Sequence, residues 1–92
     1  MIYLKDPDAD LDYTFDWAVE YLQSGETIQS STWVAEPPGI TVGDTSHTDT
    51  TTTVKLSGGV HGVLYRIVNH ITTNINARGD DRALYVRAWE PI

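Results

Sequence analysis

The stretch Leu11-Asp12-Tyr13-Thr14-Phe15-Asp16-Trp17-Ala18-Val19-Glu20-Tyr21-Leu22 alternates without a break. Leu11, Tyr13, Phe15, Trp17, Val19 and Tyr21 face one way, and Asp12, Thr14, Asp16, Ala18 and Glu20 face the other. Successive side chains of an extended chain point to opposite faces, so this pattern describes a strand with one buried, aromatic-rich face and one wet face. Leu11, Phe15, Ala18, Val19 and Leu22 also fit a helical template, and periodicity alone leaves both readings open. The aromatic content and the strand-like segments that follow favour β.

Upstream, Ile2 to Leu4 reads as a short strand, and Asp6-Pro7-Asp8-Ala9-Asp10 as an acidic lead-in that Pro7 keeps extended. Residues 1–10 are therefore expected to form an extended N-terminal segment, 11–90 a single sandwich domain and 91–92 the C-terminal end. Downstream, Gln23-Ser24-Gly25 is a turn, and Glu26 to Ala35 carries Ile28 and Trp33 among small polar residues. Pro37-Pro38-Gly39 then interrupts the ladder before a short strand at Ile40 to Gly43, the behaviour of a strand that leaves one sheet.

A polar, threonine-rich stretch from Asp44 to Thr53 leads into Thr52 to Leu56, with Val54 and Leu56 inward, and Ser57-Gly58-Gly59 is the next turn. Gly62 to Thr73 is a second long strand in which Val63, Tyr65, Ile67, Asn69 and Ile71 alternate with Leu64, Arg66, Val68, His70 and Thr72. Both of its faces are partly apolar, as in a central strand. Asn74 to Asp80 reads as a hairpin loop, and Arg82 to Trp89 as a last strand with Leu84, Val86 and Ala88 opposite Tyr85, Arg87 and Trp89.

This spacing of turns predicts an all-β fold, an immunoglobulin-like β-sandwich of about seven short strands. Trp33 would lie in the third strand of such a sandwich, where a core tryptophan often packs between sheets. Tyr65, shortly after Leu56-Ser57-Gly58-Gly59, has the setting of a tyrosine corner, whose phenol bonds back to the preceding loop, or of an ordinary core tyrosine. The expected core comprises Phe15, Trp17, Val19, Trp33, Leu56, Tyr65 and Ile67.

Ninety-two residues allow one domain, and without cysteine its core holds by packing alone. Six Lys and Arg against thirteen Asp and Glu give a net charge of -7, which argues against nucleic acid or an anionic membrane as main partner and for a protein or a cation. The chain begins without a secretory signal pattern, no segment approaches the roughly 20 apolar residues of a membrane span, and a soluble protein is expected.

Asp6, Asp8, Asp10 and Asp12 match the first alternate positions of a calcium loop, but Leu11 stands where the loop needs glycine and Trp17 where it needs glutamate. Asp44, His47 and Asp49 are close enough in sequence to converge on a metal, although three such residues in a polar stretch arise easily by chance. The chain has no nucleophile elbow, zincin motif or phosphate-binding glycine loop, and Ser57 with His61 in a turn is not a triad. No enzyme activity, cofactor or metal is expected. The candidate site residues are instead contacts for a protein partner: Tyr3, Asp6, Asp8, Arg66, Arg78, Tyr85, Arg87 and Trp89, because arginine, tyrosine and tryptophan are the usual anchors of interfaces.

The combination of Lys5-Asp6-Pro7-Asp8, Leu11-Asp12-Tyr13, Trp17, Ile28, Ser31-Thr32-Trp33, Thr50 to Thr53, Leu56-Ser57-Gly58-Gly59, Gly62, Tyr65, Ile71-Thr72-Thr73 and Asp81-Arg82 resembles the small tailed-phage structural proteins of the phage fiber-tail adaptor family. The resemblance covers nearly the whole chain and is weakest at Asn74 to Gly79. It implies a non-enzymatic virion component, assembled in the host bacterial cytoplasm, that joins tail, neck or portal-proximal proteins to tail fibers in a multi-copy homo-oligomeric ring. Free sheet edges and extended ends suit such a ring, by edge pairing or by strapping a terminus across a neighbour, and residues 1–10 and 89–92 are expected to order only in the assembly. Two other readings stay open: an immunoglobulin-like module binding a glycan or cell-surface protein through Asp44 to Thr53 and His61, and a capsid decoration protein.

Overall fold

The computed structural model describes residues 2–19 and 21–90; Met1, Glu20 and residues 91–92 lie outside the described residues. The described residues form seven strands: β1 (Ile2–Lys5), β2 (Leu11–Asp16), β3 (Ile28–Glu36), β4 (Ile40–His47), β5 (Thr51–Gly58), β6 (Leu64–Thr73) and β7 (Gly79–Ala88). They make two sheets, one ordered β1-β7-β6-β3 and the other β2-β5-β4. The expected all-β sandwich is present. Pairing is antiparallel throughout except between β1 and β7, which are parallel. The first strand lies beside β7 and not beside β2, unlike the first strand of the seven-stranded immunoglobulin arrangement.

Several boundaries differ from those expected, each for a local reason. The alternation from Leu11 continues to Tyr21, but β2 stops at Asp16, whose Oδ1 accepts the Ala18 N–H at 3.0 Å in an Asx turn. Tyr21 and Leu22 then donate back to the Trp17 carbonyl at 3.1 and 3.0 Å. Val19, expected in the core, is therefore 74% exposed, a correction that the turn imposes. β4 runs on to His47 through the segment expected as loop, and only Thr48 to Thr50 turn. There the Thr48 Oγ1 accepts the Thr51 N–H at 3.0 Å and lies 2.7 Å from the Thr51 hydroxyl, which is how threonines close this hairpin. β7 begins at Gly79 and not at Arg82, and β1 makes Ile2–Lys5 part of the larger sheet.

Between the sheets lie Val54 and Leu56 from β5, Tyr65, Ile67 and Ile71 from β6, and Leu84, Val86 and Ala88 from β7, all buried. Phe15 and Trp33 are partly buried and stack on each other with centroids 5.6 Å apart and planes 8° from parallel. Trp33 leaves its buried Nε1 without a hydrogen-bond partner. The fully buried tryptophan is Trp17, whose Nε1 donates to Thr52 Oγ1 at 3.0 Å and to Asn69 Oδ1 at 3.2 Å. The Thr52 hydroxyl also donates to Asn69 Oδ1 at 2.6 Å, and Asn69 Nδ2 donates to Ser31 Oγ and the Thr32 carbonyl, each at 2.9 Å. Buried polar groups are costly unless paired, and this set pairs its members across both sheets.

At the other end of the sandwich the Tyr65 phenol accepts the Val60 N–H at 2.8 Å, so the phenol does bond back to the loop before its strand. Gly39 packs against the same phenol. A Cβ there would come within 2.7 Å of the Tyr65 Oη, at a φ of 128° that side chains rarely adopt, which is why glycine ends the Pro37-Pro38 crossing.

Asn69→Ala should lower stability by about 2–4 kcal/mol, because it leaves the Trp17 indole and Ser31 short of partners in a dry setting. Urea denaturation measures this; a loss under about 1 kcal/mol would contradict the central place of the network. Ala77, at φ 51° in the β6–β7 turn, occupies a left-handed conformation that costs a side chain about 1 kcal/mol. Ala77→Gly should accordingly be neutral to slightly stabilising in the same assay, although alanine to glycine usually destabilises.

Candidate functional site

On β6 and β7 the inward positions are Tyr65, Ile67, Asn69 and Ile71, and Leu84, Val86 and Ala88. Alternation turns Leu64, Arg66, Val68 and His70, with Tyr85 and Arg87, to the outer face. The register lines these up with their neighbours: Ile2 beside Tyr85, Tyr85 beside Arg66 and Arg66 beside Glu36; Leu4 beside Arg87 and Arg87 beside Leu64; Val34 beside Val68 and Val68 beside Ala83. The result is one contiguous outer face on which Ile2 and Leu4 are 52% and 67% exposed, Val34 is 55% exposed, and Leu64 and Tyr85 are also open. An apolar field with arginines set in it is the composition of a protein interface.

Arg66, Tyr85 and Arg87, expected as contacts, thus come together, with Trp89 just beyond the end of β7. Trp89 is half exposed, and its ring centroid lies 4.5 Å from that of His61. His61 Nδ1 accepts the Glu90 N–H at 2.8 Å, so His61 braces the end of the chain. Ile2, Leu4, Leu64 and Val34 were missed by sequence reasoning. The available signal was that the alternate positions of their strands are apolar on both faces.

The other expected contacts have local tasks. Tyr3 is on the inner side of β1 and meets Tyr13 edge-on, with centroids 5.2 Å apart, across the gap between the sheets. Asp6 Oδ1 accepts the Asp8 N–H at 2.9 Å and its carbonyl accepts from Ala9 and from the Lys5 ammonium, closing the turn after β1; Asp8 itself is exposed. Arg78 donates to Glu26 Oε1 at 2.8 Å and lies 4.7 Å over the Tyr21 ring.

Half of the positive charge, Lys5, Arg78 and Arg82, is used internally. Lys5 is buried, its Nζ donating to the Asp6 and Gly58 carbonyls, and burial pushes its pKa down against the pull of Asp10, Asp6 and Asp8. Arg82 lies 4.3 Å over the Trp17 ring, and Lys55 sits opposite Asp12 in the β2–β5 register. Arg66, 4.0 Å from Glu36, and Arg87, bonded to the Gly62 carbonyl, remain for the outer face. The opposite face, on β2-β5-β4, is acidic and threonine-rich, with Asp12 and Asp16 and a 2.9 Å contact between the Thr14 and Thr53 hydroxyls. Among the described residues no group of three histidines or carboxylates is placed to hold a metal ion; Asp44 and His47 lie in β4 and Asp49 in the turn after it.

The described residues thus make a small two-sheet β-sandwich with an apolar, arginine-bearing outer face on its larger sheet. The chain belongs to the family described as podophage GP4 fiber-tail adaptor protein gp77, whose model matches residues 5–87. No curated protein matches the chain.

The Glu26 carboxylate, buried under the β6–β7 turn, accepts the Gln23 N–H at 2.9 Å, the Thr73 hydroxyl at 2.6 Å and the Arg78 guanidinium. The Gln23 N–H first, then the Thr73 hydroxyl and the Arg78 charge, hold its pKa below the ordinary 4.5 despite burial. A depressed pKa means the unfolded chain takes up the proton first as pH falls. The stabilisation is complete above about pH 4.5 and is lost as pH drops through the folded value. Glu26→Gln should flatten the fall of stability below that pH, read from urea midpoints at stepped pH; an unchanged slope would show that other carboxylates govern acid unfolding.

Proposed function

We propose that this protein is a non-enzymatic component of the phage virion, placed at the tail or neck in several copies around the particle axis, where it joins tail or neck proteins to fibers. The observation that carries this is the outer face of the β1-β7-β6-β3 sheet, where Ile2, Leu4, Leu64 and Tyr85 surround Arg66 and Arg87, with Trp89 at its end. Flat apolar surfaces bearing tyrosine, tryptophan and arginine serve protein contacts, in which a few buried anchors carry most of the energy. Membership of the fiber-tail adaptor family supports the same partner class. The threonine-rich segment favours a glycan-binding module less, because β4 and β5 take up most of it and the Thr48 and Thr51 hydroxyls bond within their own turn.

Trp89 lies beside the end of β1, its N–H donating to the Lys5 carbonyl at 2.9 Å, and in the assembly it packs against a neighbouring subunit. Trp89→Ala should leave the monomer folded, with unchanged circular dichroism, and lower its recovery in purified particles at least tenfold by mass spectrometry. Wild-type recovery would remove Trp89 from the contact. Gold labelling of a tagged protein over the head, and not at the tail or neck, would redirect the reading to capsid decoration.

A further inference from the structure

We infer that copies of this chain join head to tail through the two edges of the larger sheet, the free edge of β3 in one copy pairing with the free edge of β1 in the next. The inference rests on the multi-copy reading above and names how the copies meet. β1 and β3 are the two edges of the larger sheet, β1 laddered to β7 and β3 to β6; beyond its ladder β3 donates from the Ile28 N–H to the Asp49 carbonyl at its first residue and accepts the Asn69 amide at the Thr32 carbonyl. Unpaired edges are templates for another strand, and proteins guard them with charge, bulges or proline.

The smaller sheet is guarded in this way. β2 carries Asp12 and Asp16 within six residues, and β4 breaks register between Val42 and Thr45, around Asp44. The larger sheet is not. β3 has no charge and no proline from Gln29 to Ala35, and its one irregularity lies at its start, between Ile28 and Ser30. β1 is uncharged from Ile2 to Leu4, and Lys5, the residue type that commonly guards an edge, turns inward with its ammonium on the Gly58 carbonyl at 2.7 Å.

The side chains agree with the backbone. Val34 on β3 and Ile2 and Leu4 on β1 all project to the outer face, each more than half exposed. Pairing the two edges sets Val34 of one copy beside Ile2 and Leu4 of the next and covers all three. Two different edges make a heterologous contact, which repeats until it closes as a ring, whereas β3 pairing with β3 about a two-fold axis would stop at a dimer. A contact through a four-residue strand falls short of the roughly 1,000 Å² of a stable pair. It is therefore weak between free copies and holds where the copies are gathered around an axis.

The chain has no cysteine, so the contact can be mapped by cross-linking. Particles grown with Leu4→Cys and Val34→Cys proteins together, treated with a short bismaleimide, should yield cross-linked dimers containing one of each, and particles grown with either variant alone should yield none. Dimers from Val34→Cys alone would overturn the inference in favour of a two-fold contact. Normal incorporation of both variants without cross-links would overturn it while leaving the adaptor reading intact. Absence of the unaltered protein from particles would remove both. As a second measure, Val34→Lys should keep the monomer's melting temperature and reduce particle incorporation at least tenfold; incorporation at the unaltered level would overturn the inference.

Discussion

Everything in this fold leans on one buried polar knot. Trp17 leaves β2 and places its indole between the sheets, where Thr52 of β5 and Asn69 of β6 take its N–H, and Asn69 passes the connection on to β3 through Ser31 and the Thr32 carbonyl. A sandwich of apolar faces alone can slide, because burial of apolar surface is non-directional. A dry hydrogen-bond set is directional, and any displacement leaves one of its members unpaired. In a chain without cysteine this knot does the positional work that a disulfide between sheets does elsewhere. The β4–β5 turn belongs to it as well, since the carbonyls of Thr50 and Asp49 accept the N–H groups of Trp17 and Ile28.

With the interior held in that way, the outer faces of the two sheets take different compositions. Thirteen carboxylates against six basic groups leave a net negative molecule, yet the outer face of the larger sheet carries arginine among aliphatic side chains. Of the basic groups elsewhere, Arg78 is committed to Glu26, Arg82 to the Trp17 ring and Lys5 to backbone carbonyls, while Lys55 is exposed opposite Asp12. The two outer faces therefore differ, one setting Arg66 and Arg87 among aliphatic side chains beside Glu36 and Asp81, the other carrying Asp12, Asp16, Lys55 and threonine hydroxyls. The chain belongs to a family of fiber-tail adaptors.

The all-β architecture, the order of turns and most of the core were legible in the residues because period-two patterns are local. Leu56, Tyr65 and Ile67 are buried as their alternation requires, and the Pro37-Pro38-Gly39 break does separate a strand of one sheet from a strand of the other. Val19 misled because its alternation is as regular as that of the residues before it. A single Asx turn at Asp16 overrides the pattern, and its competing hydrogen bond is not visible in periodicity. Asp44 to His47 misled in the opposite sense: a polar, bulged edge strand has the composition of a loop.

The candidate face was half legible. Arg66, Tyr85, Arg87 and Trp89 could be picked as residue types suited to contacts, but Tyr3 and Arg78, equally suitable by type, point to Tyr13 and Glu26. The sequence by itself determined what each strand can bury and which residue types remain outside, since both follow from neighbours one and two positions apart. Only the tertiary structure decided that β1 lies beside β7, that Ile2 and Leu4 thereby join Tyr85 and Leu64 on one face, and that Trp17 meets Asn69. Those are pairings between residues tens of positions apart, chosen by which sheet edges and buried polar groups can satisfy one another, and no local pattern encodes that choice.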